Sequence, residues 1–279
     1  MSLLNRLFGR KETAPAPAAS EAPMNIEALK LAMIPPQDQV FIGGGEYLGT
    51  ANEFFIYFTR YGELKPTDTV LDIGCGQGRM AIPLTTYLTP QTRYEGFDIV
   101  PAGIDWCNEK IAKHFPNFHF QVADVYNQMY VGGAAQTATQ YRFPFADATF
   151  DFVFLTSVFT HMFPNEVEHY ASEIGRVLRP GGRCLSTFFL MTEDALSLVA
   201  QGKSTQNFVH ERDGYRIVKT DAPEEAVGFT VPDVLAMFER YGMKARMPIA
   251  FGSWCGRTPS VTYQDFIVFD KIAQTGTTP

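Results

Sequence analysis

Apolar and polar positions alternate in two different periods through the middle of the chain. Five short apolar runs are separated by amphipathic stretches in which apolar residues recur at helical spacing. Apolar runs of this length are typical of strands that are covered on both faces. Strands and helices in alternation predict an α/β fold with a parallel sheet and helices on both faces. The five runs are DTVLDIG, RYEGFDI, FHFQVAD, FDFVFLTS and RCLSTFFL.

The pattern differs at the two ends of this alternating region. Residues 25–62 are predicted to form an N-terminal helical cap, in which ANEFFIYFTRYG is an aromatic helix that packs on the core. Near the C-terminus, TVPDVLAMFERYG predicts a last helix. Two strands are expected after it, near ARMPIAFGSW and YQDFIVFDKI. A short loop between them predicts an antiparallel pair at one edge of the sheet.

The polar segments define the domain organisation. Residues 1–23 predict a flexible segment because a Pro/Ala-rich stretch follows a basic, apolar tip. The tip, residues 1–11, could contact a membrane surface, and a disordered terminus is the alternative. Residues 24–279 are predicted to form one domain with polar insertions at about 127–141 and 192–229.

Composition narrows the classes of protein. The chain has 279 residues and a formal net charge of -7, which argues against a nucleic-acid partner bound through its phosphates. No run approaches the length of a membrane span, and no secretory signal is evident. The four cysteines contain no C-x-x-C pair, which predicts free, buried thiols in the cytoplasm and no metal site. Cys75 is expected to be a small space-filling residue.

The stretch VLDIGCGQGRM carries the most specific chemistry. Gly74, Gly76 and Gly78 follow a predicted strand and precede a helix, where glycines let the backbone approach a ligand closely. Asp98 ends the second strand, and a carboxylate there can accept hydrogen bonds from a ribose diol. Asp124 ends the third strand, where an acceptor suits the exocyclic amine of adenine. These features together predict a nucleoside-containing ligand.

Five motifs in this order resemble those of class I S-adenosylmethionine-dependent methyltransferases, most of all the bacterial small-molecule type. They are VLDIGCGQGR, GFDI, VADV, FDFVFLTSVFTHM and LRPGG, in which RPGG predicts a turn. The resemblance covers residues 69–189 well and the last helix and strands more loosely. It implies a Rossmann-like seven-stranded sheet in the order 3-2-1-4-5-7-6, mostly parallel with one antiparallel strand at an edge. It also implies S-adenosyl-L-methionine as the cofactor.

The resemblance assigns cofactor-binding roles by position. Asp72 and the glycine loop would hold the methionine part, Asp98 the ribose hydroxyls and Ile99 one face of the adenine. The remaining predicted cofactor residues are Gly74, Cys75, Gly76 and Gly78 in the loop, Asp124 and Val125 at the adenine edge, and Thr156 at the methionine end.

The methyl acceptor is less well defined by the sequence. His161, after the fourth strand, is a candidate general base, and helix capping or packing is the alternative. His169 is expected to be structural, and His210 would reach the site only if its insertion folds over it. LTSV replaces the Asn/Asp-Pro-Pro-aromatic motif of adenine-N6 and glutamine methyltransferases, which argues against such acceptors.

The predicted function is methyl transfer to a small-molecule or lipid-like acceptor. The alternatives are an inactive cofactor-binding regulatory protein and an aminopropyltransferase-like enzyme; a nicotinamide-dependent oxidoreductase is disfavoured by the glycine spacing. Acceptor recognition is expected from the cap with GGGEYLG, the two insertions and GSWCGR. Within GSWCGR, Trp254 and Arg257 could meet an aromatic or anionic substrate, or be an edge aromatic and a solvated charge.

Overall fold

The computed structural model describes residues 25–126 and 136–273. The helices are α1 Ile26–Ala32, α2 Tyr47–Arg60, α3 Ala81–Leu84, α4 Pro101–Cys107, α5 Pro164–Val177, α6 Glu193–Ala200 and α7 Val231–Glu239. The strands are β1 Val70–Ile73, β2 Tyr94–Asp98, β3 Phe118–Val122, β4 Phe150–Leu155, β5 Leu178–Phe188, β6 His210–Arg212, β7 Tyr215–Ile217, β8 Val227–Phe229, β9 Met243–Ala245 and β10 Asp265–Lys271.

Seven strands form the main sheet in the order β3-β2-β1-β4-β5-β10-β9. The first five are parallel, and β10 is antiparallel to both β5 and the edge strand β9. This arrangement confirms the Rossmann-like sheet predicted from the sequence. Parallel strands place their carboxyl ends along one edge, so the loops after β1, β2 and β4 meet there.

Two local expectations at the C-terminal strands were wrong. Strand β9 ends at Ala245, so residues 246–264 form a long connection to β10, where the continued strand and a short loop were expected. Pro248 has no backbone N–H to continue the ladder. Further along, an isolated bridge between Ala250 and Phe266 joins this connection to β10. The predicted turn RPGG lies inside β5, where the pairing with β4 shifts register.

Two hydrophobic cores cover the two faces of the sheet. Successive side chains of a strand point to opposite faces, and β4 shows this directly. Phe152 and Phe154 pack in the core with α2, α3 and α4. Val153 and Leu155 pack in the core with α5 and α7. Each fully buried side chain of this size contributes about 1.5–3 kcal/mol, so both faces hold the sheet rigidly below the loops.

The segment 192–229 folds beside the end of β5. It contains α6 and a three-stranded antiparallel sheet, β6-β7-β8. Met191 donates its N–H to the Phe229 carbonyl at 2.7 Å, and Phe229 donates to the Phe189 carbonyl at 2.9 Å. A third apolar cluster forms here around Phe189, Phe208 and the fully buried Trp254. The segment is therefore anchored to the main sheet.

Other sequence predictions concern the chain as a whole. All four cysteines are free and buried, as predicted. Among the described residues, no helix is long and apolar enough to cross a membrane, and no group of three or more His, Cys, Asp or Glu is placed to hold a metal ion. The predictions for residues 1–23, and for residues 127–135 of the first insertion, lie outside the part of the chain that the structure describes.

Candidate functional site

A cavity of about 480 Å³ lies at the carboxyl ends of β1, β2 and β4. This volume is in the range of small-molecule and cofactor sites. Eight residues singled out in the sequence line it: Gly74, Cys75, Gly76, Asp98, Ile99, Val125, Thr156 and His161. Asp72, Gly78 and Asp124 are not among the described lining residues.

The glycine loop adopts a backbone conformation that favours glycine. Gly74, Gly76 and Gly78 have φ of +75°, +55° and +76°, in the left-handed region. The amides of Gly74 and Cys75 both donate to the Phe97 carbonyl, at 2.9 and 3.1 Å, which ties the loop to β2. The loop therefore curls over the end of the sheet with its backbone facing the cavity.

The space freed by the missing side chains is filled partly by the chain itself. A Cβ at Gly76 would lie 2.5 Å from Ile42 Cγ2, and one at Gly74 would lie 2.4 Å from Val158 Cγ2. A Cβ at Gly78 would lie 2.4 Å from Ile111 Cδ1, so this glycine serves the packing of the loop against the helical layer. The glycine spacing predicted close approach of a ligand at all three positions, and these contacts within the chain were not anticipated.

Asp98 connects the loops after β1 and β2. Its Oδ2 accepts a hydrogen bond from the Gly76 amide at 2.8 Å, and its Oδ1 accepts one from the Val100 amide at 2.9 Å. Burial raises the pKa of the carboxyl group, and these backbone donors oppose that rise. The carboxylate is thus held at the cavity wall, where a ligand with hydroxyl donors can bind it.

Asp72 lies beneath the loop and is fully buried. Its Oδ2 accepts a hydrogen bond from the Tyr94 hydroxyl at 2.5 Å, and its Oδ1 has no partner among the described residues. Burial, with a smaller contribution from Asp98, raises the pKa of Asp72 to about 8. A positive charge in the cavity would favour the ionised form, so this buried acceptor fits a cationic ligand.

A segment before α2 covers the glycine loop; acceptor recognition was expected from the cap that contains it, but its contacts with the loop were not anticipated. We name residues 37–46 the strap. Phe41 donates its N–H to Gln77 Oε1 at 3.2 Å, and Gln77 Nε2 donates to the Gln39 carbonyl at 3.0 Å. Phe41, Ile42 and Gly43 line the cavity. The glycine-rich GGGEYLG begins inside the strap, and it is the sequence feature that indicated a role for this segment.

Arg79, directly after the glycine loop, also lines the cavity. Its Nη1 donates to the Gly43 carbonyl at 2.9 Å, and its guanidinium lies 5.8 Å from the centre of the Tyr47 ring. Burial lowers the pKa of Arg79, and its buried Nε has no partner among the described residues. A buried cation with an unused donor suits an anionic group of a ligand.

His161 lies in a helical turn after β4, at the cavity wall. Its Nδ1 is 2.9 Å from the Glu224 carbonyl oxygen. Because a carbonyl only accepts, Nδ1 carries the proton in the neutral ring and the lone pair is on Nε2. Burial lowers the pKa of His161, so the ring is neutral at pH 7. This is the protonation state that a general base requires.

Other polar residues from the sequence analysis lie elsewhere. His169 Nε2 is 2.9 Å from the Tyr141 carbonyl, in a structural position, and His210 in β6 does not line the cavity. Trp254 is fully buried and donates Nε1–H to Asp265 at 2.7 Å, so packing is its role. Arg257 binds Asp194 and Thr192, outside the cavity.

Comparison with known proteins agrees with this geometry. Residues 70–182 match the family model described as a methyltransferase domain. Over 140 residues, 50% of this chain and 45% of the relative, the chain is 30% identical to 27-O-demethylrifamycin SV methyltransferase of Amycolatopsis mediterranei. The chain spans about half the length of the curated relatives it matches, 45% and 52%.

Two solved structures show the same fold. A S-adenosylmethionine-dependent methyltransferase of Methanosarcina mazei superposes with a TM-score of 0.52 at 19% identity, covering 77% of this chain and 97% of that one. Magnesium protoporphyrin IX methyltransferase of Synechocystis, solved with bound S-adenosylhomocysteine, gives a TM-score of 0.50 at 16% identity and covers 82% and 90%.

The sheet order, the glycine loop after β1 and the carboxylate that ends β2 define a Rossmann-like domain of the kind that binds nucleoside cofactors. Residues 70–182 are thus similar to the methyltransferase-domain family, and the chain shares the fold of the S-adenosylmethionine-dependent methyltransferase with which it superposes.

Proposed function

We propose that this protein transfers the methyl group of S-adenosyl-L-methionine to a small-molecule acceptor. The observation that carries the proposal is that the glycine loop, Asp98 and His161 line the same cavity. The Amycolatopsis relative is a 27-O-demethylrifamycin SV methyltransferase, which supports an oxygen atom of a small molecule as acceptor. A lipid-like acceptor is a second form of the same proposal.

The residues that would hold the cofactor follow from their positions. Asp98 would bind the ribose hydroxyls, Ile99 and Val125 would pack on the adenine, and Asp124 would lie at its edge. The loop Gly74, Cys75, Gly76, with Asp72 beneath it and Thr156 beyond it, would hold the methionine part. Arg79 would pair with the carboxylate of the methionine part. The unsatisfied buried oxygen of Asp72 fits the positive charge of this cofactor.

When bound, this cofactor would supply an electrophilic methyl group on its sulfonium, which the acceptor oxygen would take while the electron pair of the S–CH₃ bond stays on sulfur. His161 receives the proton that the acceptor hydroxyl loses, at Nε2. The Glu224 carbonyl keeps the other proton on Nδ1, which orients the ring for this role. The chain otherwise contributes by positioning the acceptor and excluding water.

The test is incubation of the full chain with methyl-labelled cofactor and fractionated cell extract. Labelled product identifies the acceptor, and calorimetry should show binding of S-adenosylhomocysteine and no comparable binding of NAD. Cofactor binding without turnover on any fraction would favour the inactive regulatory protein. Turnover with decarboxylated S-adenosyl-L-methionine, and none with S-adenosyl-L-methionine itself, would favour an aminopropyltransferase.

Cellular location and partners belong to the same proposal. We expect a cytoplasmic enzyme without a nucleic-acid partner, on the basis of its net charge of -7 and its free, buried thiols. Cell fractionation tests the location, and an electrophoretic mobility assay with duplex DNA and RNA tests the partner.

A further inference from the structure

Three polar side chains from separate parts of the chain line the β4 side of the cavity. Ser157 follows β4, Gln206 lies between α6 and β6, and Gln264 precedes β10. In the sheet order, β4 separates β1 and β2 from β5 and β10. These side chains therefore lie away from Asp98 and Val125, on the side where an acceptor would approach.

Ser157 is held in a strained backbone conformation. Its φ is +59°, in the left-handed region that non-glycine residues rarely adopt. Its N–H donates to Thr187 Oγ1 at 2.7 Å, and its hydroxyl donates to Gln264 Oε1 at 3.0 Å. Strain of this kind is concentrated at functional sites, where neighbouring contacts hold it. The second bond engages the Oε1 of the Gln264 amide.

The two glutamines offer complementary groups to the cavity. Gln264 uses its Oε1 on Ser157, which leaves its Nε2 as a donor. Gln206 donates Nε2 to the Tyr263 hydroxyl at 3.3 Å, which leaves its Oε1 as an acceptor. Neither remaining atom has a hydrogen-bond partner in the described ranges. One donor and one acceptor that line the same cavity match a hydroxyl group, which can accept from the first and donate to the second.

The charges around this part of the cavity disfavour an anion. Glu166 lines the cavity and lies close enough to Glu224 for their charges to interact, and the charge of Glu224 also acts on His161. The one cationic side chain among the described lining residues that is charged at neutral pH is Arg79, and it is bonded to the strap. An anionic acceptor would meet carboxylates without a compensating cation.

We infer that Ser157, Gln264 and Gln206 position an uncharged acceptor through a hydroxyl group. This inference rests on the proposed methyl transfer and deepens it by naming the class of acceptor. Gln264 and Gln206 are the specificity-determining residues, and Ser157 is a positioning residue that acts through Gln264.

The experiment uses the full chain, methyl-labelled cofactor and a metabolite extract divided by anion and cation exchange. We expect label in the fraction that neither exchanger retains. Gln264→Leu and Gln206→Leu should each raise KM for that fraction by about 5- to 10-fold, the loss of one hydrogen bond, with a smaller change in kcat. The affinity for S-adenosylhomocysteine should stay unchanged. Gln201→Leu, at the exposed end of α6, is the matched control.

Label confined to an anionic or cationic fraction would overturn the inference, as would variants that keep the wild-type KM. If no fraction is labelled although S-adenosylhomocysteine binds, the proposed function fails. Saturation-transfer NMR of the neutral fraction on the S-adenosylhomocysteine complex then decides the inference separately. Ligands that contact the wild type and lose contact in both variants support it; equal contact, or none, overturns it.

Discussion

At the scale of single residues, Asp98 combines contacts to the backbone with a position at the cavity wall. It accepts hydrogen bonds from the Gly76 and Val100 amides, and it faces the cavity. Asp98→Ala should weaken binding of S-adenosylhomocysteine by about 1.5–3 kcal/mol, the range for hydrogen bonds to a charged group. Calorimetry measures the affinity, and Asp105→Ala, an exposed carboxylate on α4, is the control. Unchanged affinity in a folded variant would show that Asp98 does not bind the cofactor.

His161 gives the sharpest prediction on catalysis. As general base, its replacement by Ala should lower kcat by about 100-fold or more and leave cofactor affinity nearly intact. His169→Ala is the matched control because its imidazole also contacts a backbone carbonyl, away from the cavity. If His161 only caps or packs, the variant should lose thermal stability and keep its turnover per folded molecule.

The pH dependence of the wild-type rate tests the same residue independently. Burial lowers the pKa of His161 below its ordinary value of about 6.5. A base must be unprotonated, so kcat should be flat through neutral pH and fall only at a pH below the ordinary histidine pKa of about 6.5. A rate that falls already between pH 8 and 7 would assign the proton transfer to another group.

At the scale of elements, the strap and the glycine loop form one unit. Gly76→Ala should reduce cofactor affinity by more than about 10-fold, because its Cβ would displace Ile42 and disturb the loop, a cost of about 1–3 kcal/mol. Gly202→Ala is the control: it has φ of +69° with nothing within 4 Å of the added Cβ. Both variants carry the left-handed backbone cost of about 1–2 kcal/mol, and only the first should lose affinity, measured by calorimetry.

The start of β10 depends on one buried carboxylate. Asp265 accepts hydrogen bonds from the Leu190 and Gly252 amides at 2.7 and 2.6 Å, and from Trp254 Nε1 at 2.7 Å. Asp265→Ala would leave three buried donors unpaired, so we expect a loss of about 3 kcal/mol or more in the free energy of unfolding. Chemical denaturation measures it, with Asp105→Ala again as control.

Asp265 also gives a pH dependence of stability. Burial raises its pKa in the folded protein to about 6, above the unfolded value of about 3.9. The folded state then binds the proton more tightly, so this contribution to stability is full below pH 4 and is lost as pH rises through 6. The difference in unfolding free energy between wild type and Asp265→Ala should vary over this window, and a constant difference would contradict the shift.

The elements show how far sequence reasoning reached. The parallel sheet, the glycine loop and the carboxylate that ends β2 were predictable because each follows from local pattern: apolar runs, glycine spacing and strand ends. The strand order followed from the family resemblance. The strap was not, because it is held by contacts such as Gln77 to Phe41, far apart in the chain. The same holds for the pairing of Ser157 with Gln264. A side chain that bonds a distant backbone leaves no periodic signal in the sequence.

At the scale of the whole molecule, the sheet and the segments that close the cavity belong to different layers. The two cores fix β1, β2 and β4 from both faces. The cavity is closed by segments outside the sheet: the strap on one side, and residues 206 and 264 on the other. Under the proposed function, cofactor binding thus falls to the ends of the strands, and acceptor choice falls to the segments outside the sheet. Changes in these segments should alter acceptor selectivity before they alter cofactor binding.

A ligand that binds only the folded chain must stabilise the whole domain. At a free concentration 100 times its Kd, S-adenosylhomocysteine should add about 2.7 kcal/mol to the free energy of unfolding. For a domain of this size, about 2–4 °C per kcal/mol predicts a rise in Tm of roughly 5–10 °C. Differential scanning fluorimetry of the full chain measures it, with NAD at equal concentration as the control ligand. The rise should shrink in Asp98→Ala at the same ligand concentration, and an equal rise with NAD would contradict the cofactor assignment.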